Sequence, residues 1–251
     1  MRGLYSETIG QRLAATDGYI GRVKDALIDD RFWGTNYFVI DTGRWLPGRQ
    51  VLLSIESVMP FDLNTGWVAV KHTMEEVKNA PPLEEEAPVS AQYERELMAH
   101  YHWSVPPFLY ARTPLVTTDG VVKDPQTVWN LVSHFESENH LRSANELLGY
   151  DIDASGERVG LLEDIVFDMD NWRVSLFVAD ICETDAVSVS RLIPFSPAWI
   201  RSVSWHDKLI SIDLSVDALV SSPTFSRDSL NAHYMDKQLF EHYREYLDNR
   251  M

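Results

Sequence analysis

Residues 10–41 read GQRLAATDGYIGRVKDALIDDRFWGTNYFVID, and residues 149–180 read GYDIDASGERVGLLEDIVFDMDNWRVSLFVAD. The two stretches align without a gap at a constant spacing of 139 residues, Gly10 to Gly149. Nine positions are identical: Gly10/Gly149, Ala15/Ala154, Gly21/Gly160, Asp25/Asp164, Asp29/Asp168, Trp33/Trp172, Phe38/Phe177, Val39/Val178 and Asp41/Asp180. Unrelated stretches of ordinary composition share about two. After a short insertion in the second copy the match resumes at a spacing of 142 residues, pairing Ser54/Ser196, Val58/Ile200, Val68/Ile210, Val70/Ile212, Val77/Leu219 and Pro81/Pro223. It runs on into a tail in which Leu97, His100 and Tyr101 mirror Leu239, His242 and Tyr243. The chain is therefore a duplication, which sets the unit of folding before any motif is considered. Residues 1–104 form the first copy, 141–251 the second, and 105–140 connect them.

Within a copy the pattern is mostly that of short strands. IGRVKDALID alternates apolar and polar residues in part, and NYFVID and VLLSI are rich in β-branched and aromatic side chains. Turn signals separate these runs: Asp17-Gly18, Thr42-Gly43, Pro47-Gly48 and Ser155-Gly156. The spacing predicts a small antiparallel barrel or sandwich in each copy. Thr73 and Ser215 each precede a helical turn as N-cap residues. Residues 90–103 place Tyr93, Leu97, His100 and Tyr101 along one helix face, and 230–247 repeat that arrangement. The expected class is mainly β: two small barrels in tandem, each followed by a helix, related by a pseudo-twofold axis as in a homodimer.

Bulk properties narrow the function. The 251 residues are 45% hydrophobic and 24% charged, enough to bury a core, and the net charge is −16. Such a field repels phosphate backbones and anionic lipid surfaces, which predicts no direct nucleic-acid contact and no membrane insertion. Cys182 is the single cysteine, so the sequence offers neither an internal disulfide nor a cysteine-based zinc site. The first ten residues, MRGLYSETIG, hold no apolar core of signal-peptide length, and a cytoplasmic location is expected.

The ordered combination Ile20-Gly21, Val23, Asp25, Asp29, Trp33, Tyr37, Val39, Asp41-Thr42-Gly43, Trp45-Leu46-Pro47-Gly48-Arg49 and Val51–Ser54, then Val77–Pro82, resembles the PRC-barrel domain. The resemblance covers the first copy. The second keeps Gly160, Asp164, Trp172 and Asp180 but carries Ile181, Cys182, Glu183, Thr184 and Asp185 where the first has its TGxWLPGR loop. The family implies a six-stranded antiparallel barrel. It includes the cytoplasmic part of the photosynthetic reaction-centre H subunit and the C-terminal domain of the ribosome-maturation factor RimM. Both dock onto other macromolecules without catalysis. By resemblance, the expected function is non-catalytic docking onto another protein or complex, without a cofactor and with homo-oligomerisation left open.

Candidate site residues follow from these readings. Gly21, Asp25, Trp33 and Asp41, with Gly160, Asp164, Trp172 and Asp180, recur at matched positions and are expected to be structural. Trp45, Pro47 and Arg49 lie in the loop particular to the first copy, and Trp and Arg dominate interface hot spots. Tyr101, Trp103 and Phe108, with Pro106, Pro107 and Tyr110, form an aromatic-proline stretch that either packs internally or offers a groove. His134, Glu138 and His140 cluster in the connecting segment. His134 and Glu138 would share a helix face, so a metal-assisted hydrolase is one alternative function. An RNA-processing role suggested by RimM is another. Asp151, Asp153 and Ser155 before Gly156 resemble the opening of a calcium loop, but Leu162 stands where a bidentate Glu belongs, and a hairpin turn is expected instead. No GxSxG, GxGxxG or phosphate-loop pattern is present.

Overall fold

The computed structural model describes residues 1–60, 65–83, 89–103, 140–182, 190–230 and 233–248. The protein is mainly β. In chain order the strands are β1 Arg2–Leu4, β2 Arg12–Ala15, β3 Gly18–Asp29, β4 Gly34–Asp41, β5 Gln50–Ser54, β6 Trp67–Ala69, β7 Leu141–Ser143, β8 Asp151–Ala154, β9 Glu157–Asp168, β10 Arg173–Cys182, β11 Ser190–Phe195, β12 Ile200–Ser204 and β13 Leu209–Ile212. The chain divides into two compact units. One holds residues 7–143 and 171–173, and the other holds 1–6, 144–170 and 174–251.

In the unit built on the first copy, β3 pairs antiparallel with β2, β4 and β7, and β4 pairs antiparallel with β5. Its core is the inward side of these strands, with Leu13, Ile20, Ala26, Ile28, Tyr37, Phe38 and Leu52 fully buried. In the unit built on the second copy, β9 pairs antiparallel with β8 and β1, and β10 with β11. Ile152, Ile165, Phe177, Ile193 and Ile210 are fully buried there. The sheets are mixed rather than purely antiparallel. β6 returns parallel to β2, and β13 returns parallel to β8. The register is the same in both: Arg12 lies opposite Trp67, and Asp151 opposite Leu209. Alternation reports which face a strand buries, not the direction in which a neighbour runs, so this correction could not come from pattern alone.

Gly21 and Gly160 sit where β3 crosses β4 and β9 crosses β10. A Cβ at either would overlap a backbone carbonyl oxygen, that of Asp41 or of Asp180. Trp33 and Trp172 close the matching β-turns with left-handed backbones, φ 54° and 57°. The Trp172 ring meets Phe38 edge-on at 5.2 Å.

The units do not follow chain order. β1 opens the first copy yet pairs with β9, Arg2 opposite Asp168 and Leu4 opposite Val166. β7 opens the second copy yet pairs with β3, Leu27 opposite Ser143 and Asp29 opposite Leu141. Each unit thus takes the opening strand of the other copy. The repeated aspartates hold these strands. The Ser6 hydroxyl donates to Asp164 at 2.5 Å and the Ser6 amide at 3.1 Å, while the Ser143 hydroxyl donates to Asp25 at 2.5 Å.

The short helices begin where expected. Thr73 and Glu76 form a reciprocal capping box over Met74–Asn79, and Ser215 accepts from the Ala218 amide at the start of Val216–Val220. The tail helices span Ala91–Tyr101 and His233–Asp248. The second starts three residues later than the apolar spacing suggests, because Arg227–Ser229 form a separate 3-10 turn. No described helix is long and apolar enough to cross a membrane. Asp151 to Gly156 form a hairpin: Asp151 pairs with Arg158 at 2.6 Å, and Asp153 accepts from the Gly156 amide at 3.3 Å.

Candidate functional site

The loop after β4 is organised by one buried hydroxyl. Thr42 is fully buried, and its Oγ1 lies 2.7 Å from the carbonyl oxygens of both Leu46 and Arg49. The Trp45 amide donates to Thr42 O at 3.1 Å, the Arg49 amide to Leu46 O at 3.1 Å, and the Gly43 amide to the Asp41 carboxylate at 2.9 Å. These bonds fix the backbone of residues 42–49 without help from the side chains at its tip. Arg44 and Pro47 are exposed and Trp45 is half-buried. A rigid loop carrying an aromatic, a proline and a cation gives contact area at low entropic cost.

Arg49 belongs to a different task. Its guanidinium donates to Lys78 O at 2.7 Å and to Ala80 O, holding the C-terminal end of the helix Met74–Asn79. In the other unit Arg191 donates to Val220 O at 2.6 Å and Ser222 O at 3.4 Å, the matching carbonyls. A side chain that both copies use to hold orphan helix carbonyls is part of the scaffold. Arg49→Ala and Arg191→Ala are each expected to lower stability by about 1–3 kcal/mol, since hydrogen bonds from a charged donor contribute about that much. Urea unfolding measures this; an unchanged midpoint for both variants would remove the structural assignment.

Tyr101 and Trp103 are internal. Each is 7% exposed, and their rings stack at 4.9 Å and 17°. Trp103 also meets Tyr37 at 6.3 Å, and the buried Tyr37 hydroxyl donates to Glu94 at 2.7 Å. Burial, followed by the Glu94 charge, pushes the Tyr37 phenol well above its ordinary range. The pair fastens the tail helix onto its own unit. Phe108, His134 and Glu138 lie outside the described residues, as do Pro106, Pro107 and Tyr110. His140 bonds the Asp30 carboxylate through Nδ1 at 2.9 Å, beside Arg142 at 3.1 Å. Among the described residues no group of three His, Cys, Asp or Glu side chains is arranged to hold a metal. His100 and His242 make matching contacts, each ring Nε2 lying 2.7 Å from a carbonyl oxygen, that of Glu76 or of Ala218.

Sequence reading passed over one arrangement. Ser57 Oγ lies 2.7 Å from His72 Nε2, and His72 Nδ1 lies 3.9 Å from Glu76 Oε2. The order Ser, His, Glu is that of a hydrolytic triad, but the surroundings oppose catalysis. Ser57 is 2% exposed, the Tyr101 ring sits 4.4 Å from the His72 ring, and the Glu76 carboxylate is held by Thr73 at 2.7 and 2.9 Å. The second copy has Trp199 and Leu214 at the matching positions, and Trp199 meets Tyr243 at 4.2 Å. The first copy therefore places a buried hydroxyl and a half-buried imidazole where the second has a half-buried indole and a buried leucine.

That imidazole is expected to make the first copy acid-sensitive. Burial lowers the His72 pKa, nearby His100 and Lys71 lower it further, and Glu76 partly offsets them. Above the ordinary histidine pKa the ring is neutral in both folded and unfolded chains. Below it the unfolded chain takes up the proton first, and stability falls until the depressed folded pKa is passed. Ser57→Ala/His72→Leu should lose less stability than the unaltered protein as pH falls through the ordinary histidine pKa of about 6.5, by denaturant midpoint. Equal losses would show that His72 is not the acid-sensitive group.

No model of a known protein family matches the chain. No curated protein matches it either.

Proposed function

We propose that the chain is a non-catalytic docking protein made of two PRC-type barrels, with recognition carried by the first. The observation that carries this reading is the loop 42–49. Its backbone is fixed by the buried Thr42, while Arg44 and Pro47 are exposed and Trp45 is half-exposed. Such a loop needs no rearrangement to bind, so contact energy is not spent on ordering. The absence of a reachable nucleophile at Ser57 and the use of Arg49 within the scaffold agree with docking rather than catalysis.

The reciprocal strands support a pseudo-twofold relation between the barrels. A chain in which each unit is completed by a strand from the other copy's leading segment is organised as a strand-exchanged dimer would be. The partner is another protein or complex, and the reading places the chain in the cytoplasm. Capture from native lysate tests the docking role, comparing the unaltered protein with Trp45→Ala/Pro47→Ala. Arg49 stays in place so that the scaffold is intact. A specific protein retained by the first and lost by the second is expected. Equal retention would mean that the loop is not the recognition element.

A further inference from the structure

The outer face of β6, β2 and β3 is cationic and aromatic in a protein of net charge −16. Arg12 stands opposite both Trp67 and Arg22, and Ala14 opposite both Tyr19 and Ala69, so these six side chains share one side of the sheet. Lys24 and Lys71 continue that side by the period of two. Tyr19 is 44% exposed and Trp67 39%, their rings meet edge-on at 6.1 Å, and the Arg12 guanidinium lies 5.3 Å from the Trp67 ring centroid. Arg12, Arg22, Lys24 and Lys71 are all exposed. Two arginines directly opposite one another cost a sheet stability, a cost that Arg22 offsets through Gly10 O at 2.6 Å and through Asp41, which stands opposite it on β4.

The same face in the second copy has the opposite sign. Register for register, Arg12, Ala14, Tyr19, Arg22, Lys24, Trp67, Ala69 and Lys71 become Asp151, Asp153, Arg158, Leu161, Glu163, Leu209, Ser211 and Asp213. Four cations and no acid on one face match four acids and one cation on the other. Asp41 and Asp180 border both faces alike, so they do not alter the contrast. The acidic face also carries Leu161, 47% exposed, as an apolar surface for the Tyr19 and Trp67 rings. Asp151 is paired with Arg158 and Asp213 with Arg201, while Glu163 is exposed. Among the described residues, Tyr19 and Trp67 on the first face and Leu161 and Glu163 on the second are exposed.

We infer that this protein self-associates head to tail, the Tyr19–Trp67 face of the first copy on one molecule seating on the Leu161–Glu163 face of the second copy on another. Aromatic and arginine anchors ringed by complementary charge are what a specific interface needs. A nucleic acid would also match cations and exposed rings, but it would meet the repulsion of the whole acidic molecule. A second copy brings its own complementary face. Because the two patches differ, the contact is heterologous, and association runs upward from dimers unless a ring closes.

Sedimentation velocity on the full chain at low and high salt tests this, with three proteins: unaltered, Arg22→Glu/Lys71→Glu, and Glu163→Lys/Asp213→Lys. The unaltered protein should associate in low salt and weaken at least about tenfold in high salt, as screened charge pairs do. Each charge-reversed variant should be monomeric alone while keeping the far-ultraviolet spectrum of the parent. The two variants mixed should form a complex through two reversed, matching faces. An unaltered protein that stays monomeric at high concentration in low salt would overturn the inference. So would association that ignores salt, or variants that fail to recover on mixing. Salt-sensitive binding of a single-stranded oligonucleotide by the parent, with no self-association, would assign the face to nucleic acid instead.

Discussion

Gly21→Ala and Gly160→Ala are each expected to destabilise the protein by about 3 kcal/mol or more, beyond the usual cost of one added methyl in a tight core. At both positions the new Cβ would overlap a backbone carbonyl oxygen of the neighbouring strand, that of Asp41 or of Asp180. A side chain can turn away, but a strand in the middle of a sheet cannot without breaking its ladder. Gly21 carries a second penalty, because its φ of +152° is a conformation that alanine resists. Gly149 is the control. It too has positive φ, 81°, but a Cβ there meets nothing within 4 Å. Gly149→Ala should therefore cost about 1 kcal/mol, the left-handed penalty alone. Urea unfolding of the three variants measures the contrast. Gly160→Ala no worse than Gly149→Ala would show that the strand crossing is looser than described.

Asp164→Ala is the second large effect, expected near 3 kcal/mol. The carboxylate is 8% exposed and accepts from the Ser6 amide, the Ser6 hydroxyl and the Ile165 amide. Alanine removes both bonds from Ser6 and leaves the buried Ile165 amide without this acceptor, and bonds to a charged acceptor are the costlier ones to lose. The loss falls on the strand Arg2–Leu4, held otherwise by its ladder to β9 and by the pairing of the N-terminal amine with Asp170 at 2.6 Å. Hydrogen exchange at residues 2–6 should therefore quicken more than exchange in β8. In a double-mutant cycle, Asp164→Ala and Ser6→Ala should be coupled by about 1–2 kcal/mol. Additive effects would contradict the role given to this contact.

The aspartates illustrate what the sequence could and could not reveal. Asp25 and Asp164 stand out as a repeated identity, but their partners, Ser143 and Ser6, are not repeat equivalents. The exchange of strands is thus invisible to an alignment of the two copies. Gly21 and Gly160 were legible as fixed points because glycine is retained where a Cβ would collide. Thr73 and Ser215 were legible as caps because capping is local, set by a hydroxyl and an amide three residues on. The parallel return of β6 and β13 was not, since strand direction depends on the path of the chain rather than on alternation.

The candidate site divides in the same way. The special character of residues 42–49 was readable from their absence in the second copy. The role of Arg49 was hidden by stopping the repeat at Ser54: extended five residues back at the same spacing, it meets Arg191, and the shared helix-holding bonds follow. Tyr101 and Trp103 looked like an aromatic patch because composition cannot separate a buried ring from an offered one. Ser57 and His72, fifteen residues apart, come together only through the turn after β5 and the bridge between Val58 and Val70.

The central claim is that the first copy recognises a partner through residues 42–49 while the second is its structural counterpart. Hydrogen exchange of the full chain, alone and saturated with the captured partner, tests it most directly. The account predicts slowed exchange at the amides of residues 43–49 on binding, with 190–195 unchanged. Protection confined to the second copy, or none in 43–49, would contradict it.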